Sequence, residues 1–151
     1  MSISFYGKVA IVTGAGGGLG RAYALALAAR GARVVVNDLG GTRDGTGRSE
    51  AAERVVEEIR AAGGQAMADS GDVADFAQMQ AMAARTIEAW GGIHILINNA
   101  GILRDKTFAK MDPADFETVV RVQLLGSAFA TKAVWATMIE QNYGRILMTT
   151  S

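Results

Sequence analysis

The sequence predicts an α/β fold built on a doubly wound parallel sheet. Three observations carry that prediction. Short apolar runs alternate with alanine- and leucine-rich stretches at helical spacing along the whole chain. Glycines cluster at the joints between these runs and stretches. No linker, repeat or low-complexity tract divides the chain. Alternation of this kind needs parallel strands with helices on both faces, joined by right-handed crossovers.

Residues 9–13 form the first strand, a buried apolar run that ends in glycines. Residues 19–30 form a helix stopped by Gly31. Residues 33–38 are the second strand, and the glycines of residues 39–48 mark a loop. Ala52, Val55, Val56 and Ile59 fall on one helix face, and Gly63 and Gly64 end that helix. Residues 65–69 are a third, weaker strand. Asp75, with Gln78 three positions on, opens the next helix as a capping box. Phe76, Met79, Ala83, Ile87 and Trp90 are expected on its buried side. Residues 93–98 are the fourth strand. Asp112 before Pro113 caps a long helix expected to run to about residue 142, with Phe116, Val119, Val120 and Gln123 on one face. Residues 145–150 are the fifth strand.

Composition narrows the function classes. A chain of 151 residues can bury a core in one domain. Fifteen basic residues balance fifteen acidic ones, with no basic block, which argues against nucleic acid and anionic membrane as partners. With no cysteine there are no disulfides or thiolate metal sites, and a cytoplasmic setting is expected. No signal-peptide pattern opens the chain, and no apolar run is long enough to cross a bilayer. His94 is the sole histidine and has no second ligand at metal spacing, so a structural role and no metal site are expected.

The turn after the first strand carries the first chemical signal. Gly14, Gly18 and Gly20 follow a G-x-x-x-G-x-G spacing, with Gly16, Gly17 and Leu19 between them. A pyrophosphate can approach such a backbone closely, because no side chain blocks it. The helix that follows offers free N–H groups and the positive end of its dipole. A tight turn with no ligand is the alternative reading. Asp38 ends the second strand, where a carboxylate can accept hydrogen bonds from ribose hydroxyls and repel a 2′-phosphate. NAD is therefore expected over NADP. Arg43 and Arg48, further along the loop, keep the phosphorylated cofactor open as an alternative.

Residues 13–20, Asp72 with Val73, and residues 98–101 together resemble the short-chain dehydrogenase/reductase family, over the whole chain. The resemblance implies a Rossmann-type domain. It implies that Asp72 and Val73 meet the adenine, and that Asn99, Ala100 and Gly101 brace the sheet and line the cofactor cleft. Ser151 aligns with the serine that orients the substrate oxygen. Gln123 stands where many members carry an asparagine that supports a proton-relay water on a kinked helix. The family's tyrosine and lysine, four residues apart, are absent: Tyr6, Tyr23 and Tyr143 are followed at that spacing by Ala10, Leu27 and Leu147. The pair is expected beyond Ser151, so residues 1–151 are expected to hold the first five strands of the fold, truncated before the catalytic helix.

A finer resemblance lies in residues 37–41, 98–105 and 143–148. These segments are similar to the (3R)-hydroxyacyl-CoA dehydrogenase domain of peroxisomal multifunctional enzymes and its bacterial relatives. That implies hydride transfer between a 3-hydroxyacyl thioester and a nicotinamide, a small-molecule substrate that extends to acyl-CoA, and a homodimer or homotetramer. Arg104, Lys106 and Lys110 read as a solvated charged loop within reach of a CoA phosphate. Two alternatives stay open: an NADP-dependent 3-oxoacyl reductase, and a non-catalytic nucleotide-binding or assembly fragment.

Overall fold

The computed structural model describes residues 3–40 and 50–150. Five parallel strands lie in the order β3-β2-β1-β4-β5. They are β1 (Val9–Val12), β2 (Arg33–Asn37), β3 (Gln65–Asp69), β4 (Ile95–Asn98) and β5 (Arg145–Met148). The strand order reverses direction between β1 and β4, and the cleft of an open α/β sheet lies at such a point. The doubly wound parallel sheet expected from the alternation is present, in the Rossmann-type arrangement that the resemblance implies.

Side chains on each strand point alternately to the two faces, so each strand feeds two cores. Ala10, Val12, Val34 and Val36 pack under helices α1 (Gly18–Ala28) and α2 (Ala51–Ala61). Ile11, Val35 and Leu96 pack on the other face, under α3 (Phe76–Trp90) and α5 (Gly126–Glu140). The central strands are buried on both sides, which is why they are continuous apolar runs rather than alternating ones.

Helix α3 departs from its expected face. Met79, Met82, Ala83 and Thr86 are buried, while Ile87 is exposed. Positions 79, 82, 83 and 86 form a continuous stripe at helical spacing. Thr86 joins it because its hydroxyl donates to the Met82 carbonyl at 2.7 Å, which leaves no polar group unpaired. The cap is as expected: the Asp75 carboxylate accepts the Gln78 N–H at 3.2 Å. The Gln78 side chain bonds differently from the usual box. Its amide donates to Asp75 at 2.9 Å, and its carbonyl accepts the Asp72 N–H at 2.9 Å.

The long helix after Pro113 is not continuous. Asp112 caps α4 (Pro113–Val120) by accepting the Ala114 N–H at 2.9 Å. A π-helical turn, Arg121–Leu125, then separates α4 from α5. The expected apolar face falls apart there: Phe116 and Gln123 are exposed, and Val119 and Val120 are half-buried. A π turn rotates the faces before and after it relative to one another, so a single period cannot describe both.

At the opposite end of the sheet from the glycine turn, His94 ties three strands. Its N–H donates to the Val9 carbonyl, its carbonyl accepts the Arg145 N–H, and its Nδ1 accepts the Val9 N–H at 3.0 Å. The ring leans on Tyr143 at 5.9 Å, and Lys8 and Arg145 lie over the Tyr143 ring at 4.0 and 4.7 Å. Burial, and secondarily the charge of Lys8, hold the His94 pKa below its ordinary 6.5.

That geometry makes a pH prediction. The folded state binds fewer protons than the unfolded chain near pH 6.5, so this stabilisation is complete above 6.5 and is lost as pH falls toward the depressed folded value. Melting temperatures of the wild type and of His94→Asn, compared between about pH 8 and pH 5, should converge as the pH drops. A difference independent of pH would show that a neutral imidazole is not what holds the Val9 N–H.

Candidate functional site

The C-terminal ends of β1, β2 and β4 open onto one cleft. Residues far apart in the chain meet there because the strand order puts β1 between β2 and β4. Strands buried on both faces end with N–H and C=O groups that need partners.

Thr13 supplies several of them. Its backbone N–H donates to the Ile97 carbonyl at 3.1 Å. Its hydroxyl donates to the same carbonyl at 3.4 Å and accepts the N–H groups of Asn99 and Ala100 at 3.0 Å each. In return, the Asn99 side-chain amide donates to the carbonyls of Thr13 and Gly14 at 3.2 and 3.1 Å. Asn98 points the other way: its amide donates to the Thr131 hydroxyl at 3.1 Å and to the Met148 sulfur at 3.2 Å. Thr13 is a site residue that the glycine spacing does not mark. The available signal was a hydroxyl at a buried strand end, directly before the first glycine.

Several glycines of the turn are required by the protein's own packing. A Cβ on Gly14 would lie 2.7 Å from the Ala100 Cα, and one on Gly20 would lie 2.6 Å from the Asn99 amide nitrogen. Gly16 is crowded by Asp38, whose carboxylate would be 2.7 Å from an added Cβ. Gly17 and Gly18 differ, since an added Cβ at either meets nothing within 4 Å. Gly18 also has a φ of +53°, which side-chain-bearing residues rarely adopt. The first helical bond runs from the Arg21 N–H to the Gly17 carbonyl. The N–H groups of Gly18, Leu19 and Gly20 therefore have no acceptor within the helix.

Asp38 follows β2 and reaches back to this turn. One carboxylate oxygen accepts the Gly16 N–H at 2.9 Å, and the other accepts the Gly40 N–H at 3.0 Å. Asp72 and Val73 follow β3. Asp72 accepts the Ala74 N–H at 2.8 Å. Val73 is buried against Gly126, where a Cβ would come within 2.6 Å of its methyl group. Only glycine at the start of α5 lets the helix approach this closely.

Gln123 sits on the π turn and donates its amide to the Ile102 carbonyl at 2.9 Å, which pins the strand exit beside Gly101. Arg104 and Lys106 do not stand free: Asp115 lies 3.4 Å from the first and 3.6 Å from the second. Ser151, Gly41, Arg43 and Arg48 lie outside the described residues.

Thr13→Val keeps the shape of the side chain and removes the hydroxyl acceptor. It should destabilise the fold by about 2–3 kcal/mol, because two N–H groups lose their partner in a buried site. Thr13→Ser should retain most of the stability. Chemical denaturation of the two variants checks this, and equal losses would mean that the methyl group matters rather than the hydroxyl.

Comparison with known proteins agrees with this geometry. The family model described as short chain dehydrogenase matches residues 8–151. The chain is 52% identical to peroxisomal multifunctional enzyme A of Dictyostelium discoideum, over all of this chain and 34% of that one. It is 50% identical to the peroxisomal hydratase-dehydrogenase-epimerase of Saccharomyces cerevisiae, over 99% of this chain and 17% of that one. Among solved structures it matches a 7α-hydroxysteroid dehydrogenase complexed with NADH and 7-oxo glycochenodeoxycholic acid. That match has a TM-score of 0.87 and 36% identity, and covers 98% of this chain and 55% of the other. The chain thus spans about a third or less of the two multifunctional relatives and about half of the steroid enzyme. With the glycine turn, the Thr13–Asn99 bracing and the family match in agreement, the chain belongs to the short chain dehydrogenase family.

Proposed function

We propose that residues 1–151 act as the dinucleotide-binding unit of an NAD-dependent dehydrogenase. The reaction is hydride transfer between a secondary alcohol or ketone and the nicotinamide. The observation that carries the reading is the Asp38 carboxylate, bonded to Gly16 of the glycine turn, with uncharged Leu39 and Gly40 following it. A carboxylate there favours ribose hydroxyls and disfavours a 2′-phosphate.

The residues present suit such a cofactor. Gly18, Leu19 and Gly20 offer N–H groups at a helix start, and open space above Gly17 and Gly18 leaves room for a pyrophosphate. Asp72 and Val73 would border the adenine. Asn99, Ala100 and Gly101 would line the cleft on the nicotinamide side. When bound, the nicotinamide supplies the hydride chemistry. Ser151 would hold the substrate oxygen in place. Gln123, fixed to the Ile102 carbonyl, would support proton transfer from a helix whose ladder is interrupted by the π turn.

A 3-hydroxyacyl thioester is the proposed substrate, from the resemblance in residues 37–41 and 98–105. The names of the multifunctional and hydratase-dehydrogenase-epimerase relatives support it. Those names also favour a peroxisomal setting over the cytoplasmic one expected from composition. No helix among the described residues is long and apolar enough to cross a membrane. Phe116, Leu124, Trp135 and Ile139 leave apolar surface exposed along α4, the π turn and α5, and we place the contact of a homodimer or homotetramer there.

Cofactor choice is the direct test. Asp38→Asn retains an acceptor for the Gly16 N–H and removes the negative charge. In the full-length polypeptide it should narrow the NAD-over-NADP ratio of kcat/KM roughly tenfold, equivalent to about 1.4 kcal/mol. An unchanged ratio would remove Asp38 from the ribose site.

A further inference from the structure

The end of β3 carries a buried charge that the proposed cofactor contacts do not use. The Asp69 side chain is only 3% exposed. One of its oxygens accepts the Gly71 N–H and the Asn37 side-chain amide, each at 2.8 Å. The other accepts the guanidinium of Arg85, which reaches in from α3 with its own side chain 56% exposed. A carboxylate this deep stays charged only if donors replace the water it has lost. Here an amide, a backbone N–H and a guanidinium do so.

The partners are arranged in a telling way. The Asn37 amide also donates to the Gly71 carbonyl at 2.9 Å, so one side chain grips both sides of the turn after β3. An added Cβ on Gly71 would lie 2.9 Å from the Asp69 oxygen, so the turn is drawn tight against the carboxylate. Asp38 is the residue after Asn37, and its N–H donates to the Asp69 carbonyl at 2.9 Å. Asp72 and Val73 are the residues after Gly71. Both candidate arms around an adenosine therefore leave from the same buried group.

We infer that Arg85, Asp69 and Asn37 form a positioning relay that sets the separation of Asp38 from the Asp72–Val73 turn, and so tunes affinity for the adenosine half of a dinucleotide. This rests on the cofactor reading above. Arg85 touches none of the proposed contacts and acts by neutralising Asp69. Without it, Asp69 draws water in from the α3 side, and the turn after β3 loosens. The five-residue register between β2 and β3 holds the strands themselves, so the loss stays at their ends.

The test uses the full-length polypeptide, with calorimetry on ADP-ribose and NADH, steady-state kinetics and thermal melting. Arg85→Ala should weaken ADP-ribose and NADH by the same factor, roughly fivefold or more, and raise the cofactor KM accordingly. The kcat at saturating cofactor should stay within about twofold, because the reacting end is untouched. Arg85→Lys should recover most of the affinity. Asp69→Asn keeps the shape and removes the charge, so it should weaken ADP-ribose, and adding Arg85→Ala to it should cost little more. If Arg85→Ala does not fold, the Asp69→Asn affinity and its rescue of the Arg85→Ala background decide the matter. A lower melting temperature with unchanged ADP-ribose affinity, or additive losses in the double variant, would overturn the relay and leave the cofactor reading standing. A wild type that binds neither ADP-ribose nor NADH would overturn both.

Discussion

The structure depends on how two buried strand ends are joined. Strands β1 and β4 are adjacent in the sheet, yet Thr13 and Asn99 are 86 residues apart in the chain. Each strand emerges from an apolar core with backbone groups that need partners. The Thr13 hydroxyl accepts two N–H groups, and the Asn99 amide donates to two carbonyls. That exchange lets the backbone turn away from the sheet with these four groups paired. It also brings the two exits close enough that only glycine fits at positions 14 and 20. The cleft's floor is thus a consequence of satisfying hydrogen bonds, and the ligand-facing surface above it is what remains.

Electrostatics divide the sheet into two ends. At the C-terminal ends of the strands, Asp38 is bonded to the glycine turn, and the start of α1 presents free N–H groups beside it. Asp69 is buried beneath this end and paired with Arg85. At the N-terminal ends, Lys8 and Arg145 lie over Tyr143, with His94 against the same ring. A net charge near zero hides this polarity. The same balance of charges also contains exposed pairs such as Arg104 and Lys106 with Asp115, which contribute little to stability.

The β5 side of the sheet differs from the β3 side. Of the two edge strands, β3 has one exposed residue in five, whereas three of the four residues of β5 are exposed. Leu147 and Met148 on that strand, and Trp135 and Ile139 on α5, present apolar surface to solvent. The π turn lies at the other end of α5, where Gly126 meets Val73, so α5 connects the apolar surface with the cleft.

What could be read from the chain alone was short-range. Apolar runs, helix stops at glycine and the caps at Asp75 and Asp112 each depend on a few consecutive residues, and they locate the five strands and helices α1, α2 and α3 to within a few positions, but not the short 3-10 turn Phe108–Lys110. The glycine spacing and Asp38 were legible because a tight turn and a strand-end carboxylate are local features. The tertiary structure alone decided what those residues touch. Nothing in the sequence showed that Asp38 would bond Gly16 or that Asn37 and Arg85 would meet at Asp69. The stripe of α3 that would face the core, and the break in the helix after Val120, were equally hidden. The physical reason is that side-chain period and capping act along the chain. Pairing of buried polar groups acts across strands, and it is determined only when the order β3-β2-β1-β4-β5 brings distant strand ends together.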